Sequence, residues 1–241
     1  MLKRGGVALI LLSLLLAGLV LAAGCGGDGE GNGSAATGNL LLNPGFEEGA
    51  DPWYSMETRG WGEPFEVSEE MAHSGTRSAL LKLRPPPEPA QRRVYGVVQS
   101  LKPERFPEFL SGFYRVENWR KDAPFQYLQF VVIAFPAGGQ GNIQIRYLLA
   151  GADAEPFEIS NAKFVFVGKD EPRTGEWVYF EREVAQDFRE LWGEVPQELD
   201  ELRVFFEARY DAPGLITGEM HGDVYYDDLY LGDKDGAPSY P

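Results

Sequence analysis

Two acidic stretches, one near each end of the chain, carry the residues best suited to binding a cation. The first, residues 39–49, has two glutamates after the turn at Asn43, Pro44 and Gly45, and the second, residues 223–231, alternates acidic, aromatic and apolar side chains. Carboxylate oxygens are the ligands that a hard cation such as Ca²⁺ prefers. We therefore expect the two ends of the fold to lie together, joined by a structural Ca²⁺ ion.

The chain has few residues arranged for catalysis. His73 and His221 are its only histidines, and it contains no Gly-x-Ser-x-Gly elbow, His-Glu-x-x-His helix or Glu-x-Asp-x-x-Glu strand. His221 lies in a Gly-rich polar segment, where a single histidine is typically a solvated loop residue. A glycoside hydrolase or lyase would need two suitably spaced carboxylates, or a carboxylate and a tyrosine, and no compact signature of that kind occurs. The sequence favours a binding protein over an enzyme.

The N-terminus has the pattern of an export signal. Lys3 and Arg4 precede a nearly uncharged apolar run over residues 7–23, which is short for a membrane span. The run ends in small residues immediately before Cys25, the only cysteine. This junction resembles the lipobox of bacterial lipoproteins, which implies that Cys25 is acylated and becomes the new N-terminus. The alternative is an ordinary signal peptide cleaved nearby, which leaves Cys25 as a free thiol.

Composition divides the chain into three parts. Residues 1–24 form the signal peptide, residues 25–38 hold the lipidated cysteine and a flexible Gly/Ser-rich tether, and residues 39–241 form one domain. Without the two basic signal residues the mature chain has 20 basic and 37 acidic residues, a net charge of −17, which argues against binding nucleic acid. We expect the protein on the extracytoplasmic side of the cell envelope, at the outer membrane if the host has one.

Strand-length runs of β-branched and aromatic residues, bounded by turn residues, recur throughout the domain. Residues 186–192 are the best helical candidate, because Phe188, Leu191 and Trp192 fall on one face at helical spacing. About ten strands in one domain predict an all-β jelly roll, a sandwich of two antiparallel sheets with at most one or two short helices. The predicted strands are 40–42, 78–83, 94–101, 110–118, 126–135, 143–149, 162–167, 177–184, 202–210 and 224–231.

Several short motifs near the two ends of the domain resemble those of a known family. They are residues 39–49, Trp53, residues 72–78, the strand at 80–83, residues 175–177 and residues 226–231. Together they are similar to carbohydrate-binding modules of the family 4, 9, 16 and 22 type, which are galactose-binding-domain-like jelly rolls. The resemblance is weak in the middle half of the domain, where ligand specificity would be encoded. It implies the fold and a non-catalytic, carbohydrate-binding role more firmly than any particular ligand.

The resemblance also implies metal ligands. In that family a structural Ca²⁺ commonly ties the N-terminal strand to the C-terminal one, through a carboxylate after the Pro-Gly turn and an aspartate in the last strand. The matching positions are Glu47 and Asp227. Strand alternation favours Asp227 over Asp228, because Asp227 shares a face with Leu229, whereas Asp228 would face solvent. Main-chain oxygens around His73, Ser74 and Thr76 are the further expected ligands.

Sugar-binding jelly rolls use aromatic rings that stack on the C–H faces of sugars, flanked by amide, carboxylate and guanidinium groups that bind hydroxyls. Strand alternation makes Arg115 a candidate if its neighbours Tyr114 and Val116 are core residues. Both faces of the strand at 126–135 are mixed and cannot be assigned. Trp53 and Trp177 are predicted to be packing residues. The candidate ligand-binding residues are Trp61, Arg115, Trp119, Gln129 and Arg209.

The sequence therefore predicts a lipid-anchored, extracytoplasmic, non-catalytic binding module, with a glycan as the favoured ligand. The alternative is a structural or adhesion lipoprotein that contacts another envelope protein, and a glycoside hydrolase or lyase is less favoured. A glycan module should present a concave strip of exposed rings with polar neighbours, whereas an adhesion module should present a flatter and more contiguous apolar patch.

Overall fold

The predicted sandwich of two sheets is confirmed in a computed structural model of the protein, which describes residues 38–55, 62–123, 125–139, 141–216 and 218–240. With strands numbered along the chain, the seven-stranded sheet runs β1 (Tyr54–Ser55), β5 (Ala90–Leu101), β11 (Leu199–Ile216), β7 (Phe125–Pro136), β8 (Ile143–Ala150) and β9 (Ala162–Phe166), with β2 (Gly62–Glu63) also paired to β5. The five-stranded sheet runs β10 (Trp177–Arg182), β6 (Phe109–Arg120), β12 (His221–Gly232), β4 (Ser78–Leu83) and β3 (Glu66–Ser68).

The strands pair antiparallel, as expected for a jelly roll, with two exceptions. These are the pairs β2–β5 and β8–β9, which are parallel. The predicted helix is confirmed as α1 (Val184–Trp192), and a short 3₁₀ turn, Lys234–Gly236, follows the last strand. Within the part of the chain that the structure describes, no helix is both long and apolar enough to cross a membrane. The predicted signal peptide and Cys25 lie outside the described residues.

Aromatic side chains from both sheets form the centre of the core. Phe130 of β7 lies 5.2 Å from Phe180 of β10, and Phe206 of β11 lies 5.5 Å from Tyr226 of β12, measured between ring centroids. All four residues are buried. Rings of this size remove a large apolar area from water, which makes them the main source of attraction between the two sheets.

The two ends of the domain lie together, as predicted. The main-chain N–H of Leu40 donates to the carbonyl of Leu231 at 2.8 Å, and that of Leu229 donates to the carbonyl of Pro44 at 3.1 Å. The side chain of Asn39 donates to the carbonyl of Leu229 at 2.8 Å and accepts from the N–H of Leu231 at 3.0 Å. The N-terminal segment is thereby fastened along β12.

The predicted strand at 40–42 is wrong, because this segment forms bends. Side chains take the place of a strand ladder here: the amide of Gln99 accepts from the N–H of Leu42 and donates to its carbonyl, both at 2.9 Å. The Leu42 side chain is 64% exposed, which a core-facing strand residue would not be. The run of three leucines therefore predicts more apolar packing at this end of the domain than the structure shows.

Candidate functional site

Glu47 caps the turn that precedes β4. Its Oε1 accepts hydrogen bonds from the main-chain N–H groups of Thr76 at 2.9 Å and Arg77 at 2.8 Å, and its Oε2 accepts one from the Thr76 hydroxyl at 2.8 Å. Burial would raise the pKa of Glu47, but the bonds from Thr76 and Arg77 outweigh it and lower the pKa. Gly75, at φ +63°, allows this approach, since a Cβ there would lie 2.6 Å from the Glu47 Cδ.

Asp227 caps the other side of the same turn. Its Oδ2 accepts from the N–H of His73 at 2.6 Å and, at 3.4 Å, from that of Ser74. Its Oδ1 accepts from the N–H of Asp228 at 2.8 Å. The residue is fully buried, and this burial, followed by the charge of Asp228, raises its pKa to about 7. The two predicted metal-binding carboxylates therefore bind neighbouring N–H groups of one turn.

The prediction that Asp228 faces solvent is wrong. Its Oδ2 lies 2.6 Å from the Nδ1 of His73, and its Oδ1 accepts from the Ser74 hydroxyl at 2.7 Å. The cause is a bulge in β12, where Asp228 has φ +48° and the pairing with β6 shifts between Asp227 and Tyr230. The bulge reverses the strand alternation, so Asp227 and Leu229 lie on opposite faces.

The outer position of Asp227 follows from its strand partner. It pairs with Phe113, which lies on the outer face of the five-stranded sheet, whereas Leu229 belongs to the core. Asp227 is buried there because the turn that contains His73 and Ser74 covers it. Strand alternation predicts that Asp227 is buried on the core side of β12. In the structure it is buried on the outer side, under the turn.

The donor set fits Ca²⁺ in charge and in ligand type, but it is incomplete as side chains alone. Glu47 and Asp227 each keep one oxygen, Oε2 and Oδ1, with a single hydrogen bond and a free lone pair. Among the described residues, no group of three or more acidic, histidine or cysteine side chains is arranged to hold a metal. Because Ca²⁺ takes six to eight oxygens, main-chain oxygens of the turn around Ser74 would have to complete the shell.

The predicted ligand-binding residues do not form one surface. Trp61 lies outside the described residues. Arg115 and Trp119 are both on β6 of the five-stranded sheet, where Arg115 pairs with Glu117 at 2.6 Å. Trp119 packs against the core, and its indole N–H donates to Glu171 at 2.7 Å.

Gln129 and Arg209 do lie together, on the outer face of the seven-stranded sheet. In strand register, Gln129 of β7 pairs with Glu207 of β11, and Tyr127 pairs with Arg209. The Nε2 of Gln129 donates to the Oε2 of Glu207. Tyr127 donates to Asp211 at 2.8 Å, and Arg209 donates to the same carboxylate from Nε at 2.9 Å and from Nη2 at 3.0 Å. We refer to these five residues as the outer polar network.

The charges of this network are paired. Burial alone would lower the pKa of Arg209, but Tyr127, Glu207 and Asp211 raise it overall. Arg146 of β8 extends the network, with its Nη1 3.8 Å from the Oε2 of Glu207, and burial lowers its pKa. A distance of 3.8 Å is too long for a hydrogen bond, so Arg146 contributes charge without a bonded partner there.

One side chain of the network, Gln129, and two beside it keep unpaired polar atoms. Within the described parts of the chain, the buried Oε1 atoms of Gln129 and Gln144 and the buried Nε and Nη1 atoms of Arg146 have no hydrogen-bond partner. Each unpaired buried polar group costs about 1–3 kcal/mol, and such groups are rare in folded proteins unless a ligand or water meets them. This clustering marks the outer face as a candidate binding surface.

Aromatic rings lie on the same face of the sheet. The ring of Phe157, from the loop between β8 and β9, lies 5.2 Å from the guanidinium carbons of both Arg146 and Arg209. It contacts Phe164 of β9 edge-on at 5.3 Å. At the other edge of the sheet, Tyr54 is 43% exposed and pairs with Val98 on the same face.

Trp53 and Trp177 differ in how they pack. Trp53 is buried, lies 5.2 Å from Phe46 and donates its indole N–H to the carbonyl of Asn43 at 2.8 Å, which confirms its predicted packing role. Trp177 is half-buried on the outer face of the five-stranded sheet, 5.6 Å from His73.

The prediction that His221 lies in a loop is wrong, because His221 is the first residue of β12. It lines an open cleft of about 570 Å³ together with Arg84, Arg120, Glu219 and Asp223. The charged residues of this cleft pair with one another, Arg84 with Asp223 and Arg120 with Glu219. Nothing in this arrangement supplies a partner for histidine catalysis.

Reasoning from the sequence missed Arg146, Phe157 and Asp211. The signal for Asp211 was present, because Glu207, Arg209 and Asp211 recur at a spacing of two and alternate with Ala208 and Tyr210, which places all three on one face. Phe157 had no such signal, since its position over Arg146 depends on how its loop folds back onto the sheet.

The solved structures that are similar to this chain share little sequence with it. No family model and no curated protein matches the chain. Solved structures similar to it include TmCBM61 in complex with β-1,4-galactotriose, at 15% identity and TM-score 0.44, covering 80% of this chain and 97% of that one. A family 16 carbohydrate-binding module is 18% identical at TM-score 0.41, with coverages of 80% and 99%. The module CBM28, specific for non-crystalline cellulose, is 12% identical at TM-score 0.46, with coverages of 81% and 95%.

Proposed function

We propose that this protein is a non-catalytic glycan-binding module, held outside the cytoplasm by a lipid on Cys25. The observation that carries the proposal is the outer face of the seven-stranded sheet, where unpaired polar atoms of Gln129, Gln144 and Arg146 share the face with the ring of Phe157, which lies over Arg146. Sugars match this chemistry, because their C–H faces stack on rings while their hydroxyls both donate and accept hydrogen bonds.

The outer face of the five-stranded sheet is less suited to a ligand, because its rings already contact one another. Tyr240, near the end of the chain, lies 4.6 Å from Phe113 and 5.2 Å from Tyr179. His73 stacks on Phe113 at 3.6 Å. Arg115, also on this face, is bonded to Glu117. We therefore place the glycan on the seven-stranded sheet and assign Arg115 and Trp119 no ligand contact.

A binding role is favoured over a catalytic one because the carboxylates of this face are engaged. Glu207 accepts from Gln129 and from Arg209, and Asp211 accepts from Tyr127 and from Arg209. Glycoside hydrolysis needs one carboxyl group that can give up a proton and a second that can attack or activate water. Two carboxylates held by one guanidinium supply neither role.

The lipid and the calcium ion belong to the same proposal. The lipobox-like junction before Cys25 and the tether after it support an anchored domain. A structural Ca²⁺ held by Glu47, Asp227 and main-chain oxygens around Ser74 would offset the buried charge of Asp227 and join the two ends of the domain. It would serve stability, since neither carboxylate lies on the outer face of the seven-stranded sheet.

A glycan array, followed by affinity electrophoresis of the detergent-solubilised protein in gels containing soluble polysaccharides, tests the proposed function. We expect retardation by at least one polysaccharide. Absence of binding to every glycan would overturn the proposal and favour the adhesion lipoprotein.

The variant Phe157→Ala tests the assigned face. Loss of the ring over Arg146 and Arg209 should weaken glycan binding about tenfold, equivalent to ~1.4 kcal/mol. The matched control is Ile159→Ala, because Ile159 is exposed in the same loop and has no ring to contribute. It should bind like the parent protein. Equal affinities of the two variants would contradict the assignment.

A further inference from the structure

We propose that the free edge of β9 is a docking site for a partner protein, which adds an extended peptide segment to the seven-stranded sheet and places one aromatic side chain in the cleft beside it. The site lies at the side of the sandwich rather than on the face assigned to the glycan, and it goes beyond the proposed function. Three observations carry the proposal: the unpaired main chain of β9, the cleft that opens next to it, and the charge at the mouth of that cleft.

One edge of β9 has no strand partner in the described parts of the chain. β9 is the last strand of the seven-stranded sheet, where it pairs with β8. Asn161 and Val167, which flank β9, bond to β8 through the Asn161 carbonyl at 3.0 Å and the Val167 N–H at 2.9 Å. Because bonding alternates along a strand, the N–H and C=O groups of Phe164 and Phe166 point away from β8, and no described main-chain group bonds to them. An edge of this kind can accept a strand from another chain.

A cleft of about 300 Å³ opens between the end of β9 and β10, the edge strand of the other sheet. Val167 lines it and is 39% exposed. Val165, two residues earlier, packs against the core, so both valines are on the inner side of this edge. Every second residue of an added strand would point the same way and could enter the cleft. At the other end of β9, the ring of Trp192 lies 5.2 Å from the Nζ of Lys163, so α1 occupies that part of the side.

The cleft has apolar walls and one buried hydroxyl group. Its walls include Leu149, Val178 and Phe180, and Tyr114 of β6 also lines it. Tyr114 is only 6% exposed, and none of the described residues makes a hydrogen bond with its hydroxyl. Buried polar groups without a partner are rare in folded proteins unless water or a ligand meets them. Apolar walls with one free hydroxyl suit an aromatic side chain that carries a polar atom, such as that of tyrosine.

The charge at the mouth of the cleft favours a basic segment. Arg173 and Glu171 are each paired with a residue of opposite charge, at 2.9 Å and 2.6 Å. Asp170, which also lines the cleft, is exposed and has no ion pair with any described residue. The neighbouring cation, Lys169, lies over the ring of Phe166 at 4.9 Å. A basic residue of the added segment would complement Asp170, and the net charge of −15 favours such a partner.

Peptide display tests the proposal. A phage-displayed library of random nonapeptides is selected against the detergent-solubilised mature protein, and the recovered peptides are synthesised and measured by isothermal titration calorimetry. We expect peptides that combine an aromatic with a basic residue and bind with micromolar Kd. Val167→Lys puts a cation at the mouth of the cleft and should weaken their binding about tenfold, whereas Ile159→Lys, at a similarly exposed residue before β9, should leave it unchanged. Recovery of no peptide, or equal affinities of the two variants, would overturn the proposal and leave the proposed glycan binding standing.

N-methylated peptides test the addition of a strand and need no variant of the protein. Two versions of a recovered peptide are N-methylated at alternate residues, one in each of the two possible registers. One version loses the main-chain N–H groups that face β9 and should bind at least tenfold more weakly, whereas the other should bind like the parent peptide. Equal affinities of the two versions would overturn the pairing with β9.

Asp170→Asn tests the charge of the added segment. It should weaken the binding of basic peptides about threefold at low salt, because the complementary carboxylate is lost. Asp153→Asn, which makes the same change at an exposed residue in the loop before β9, should bind like the parent protein. The same response in both variants would overturn the assignment of a basic segment to this cleft.

Discussion

At the scale of single residues, two arginines on one face of the seven-stranded sheet differ in the number of carboxylates that they bind. Arg209 has donors to both Glu207 and Asp211, and a buried ion pair offsets the cost of desolvation only when its groups are fully bonded. Arg146 has one carboxylate nearby, at 3.8 Å, and two unpaired donors. The charge of the first arginine is fully compensated, whereas the second keeps two buried donors without a hydrogen-bond partner.

The turn that Glu47 and Asp227 cap can be tested by substituting Gly75. Gly75→Ala should destabilise the protein by about 2–3 kcal/mol in urea unfolding, because a positive φ disfavours alanine and the new Cβ would displace Glu47. Gly175→Ala is the matched control, since Gly175 also has a positive φ, +83°, with nothing within 4 Å of its Cβ position. It should cost about 1 kcal/mol. Equal losses would show that contact with Glu47 is unimportant.

The calcium proposal is tested at Glu47. Millimolar calcium should raise the melting temperature of the mature protein above its value in chelator, as measured by calorimetry, and Glu47→Gln should abolish that increase. Glu48→Gln is the control, because Glu48 is the exposed neighbouring glutamate and should keep the response. A melting temperature that is the same in calcium and in chelator would refute the metal site.

At the scale of elements, irregularities in β12 and its partners decide which way side chains point. The pairing of β12 with β6 shifts twice, once between His221 and Asp223 and once between Asp227 and Tyr230. The first shift lies beside Asn118, at φ +54°, after which Trp119 packs toward the core. Bulges of this kind re-aim side chains locally, and here they moved Trp119 away from the outer face where simple alternation would have left it.

Helix α1 is tied to the five-stranded sheet by one ion pair. Arg182, at the end of β10, donates to the carboxylate of Asp187 from Nε at 3.0 Å and from Nη2 at 2.6 Å. Asp187→Asn should destabilise the protein by about 2 kcal/mol in urea unfolding, because Asp187 is buried while the arginine is partly exposed and screened. Glu190→Gln, on the exposed part of the same helix, should change stability by less than about 0.5 kcal/mol. A similar loss in both variants would contradict this role.

At the scale of the whole molecule, the strong negative charge and the fastened ends suit a domain displayed outside a cell. The N-terminal segment bonds along the last strand, so the chain enters and leaves the sandwich at one end. The net charge favours solubility and repels anionic surfaces.

The proposed lipid anchor can be tested on the intact protein in its host. Cys25→Ser should move the protein from the membrane fraction to the soluble fraction, because the substituted chain offers no thiol for acylation. Mass spectrometry of the parent protein should find an acylated N-terminus at Cys25. An unmodified N-terminus elsewhere would support the ordinary signal peptide. Ser13→Ala, within the apolar run of the predicted signal, should leave the fractionation unchanged.

Much of the fold was predictable from local patterns. Strands such as β4 and β8, and helix α1, lie close to their predicted positions because alternation, helical spacing and turn residues act over a few neighbours. Of the ligand candidates on described residues, Gln129 and Arg209 share a surface, whereas Arg115 and Trp119 lie on the other sheet. Strand alternation assigns a residue to one of two faces, but it does not say which sheet the strand joins.

The sequence by itself determined the fold class and the turn at Asn43, Pro44 and Gly45, since each depends on residues close together in the chain, and the paired acidic motifs at the two ends predicted that the ends meet. Only the tertiary structure decided which face of β7 is the outer one and that a turn buries Asp227 on the outer face of the five-stranded sheet. It also decided that the ring of Phe157 lies over Arg146. These outcomes depend on strand register, bulges and loop packing. Such contacts join residues far apart in sequence, and no local pattern encodes them.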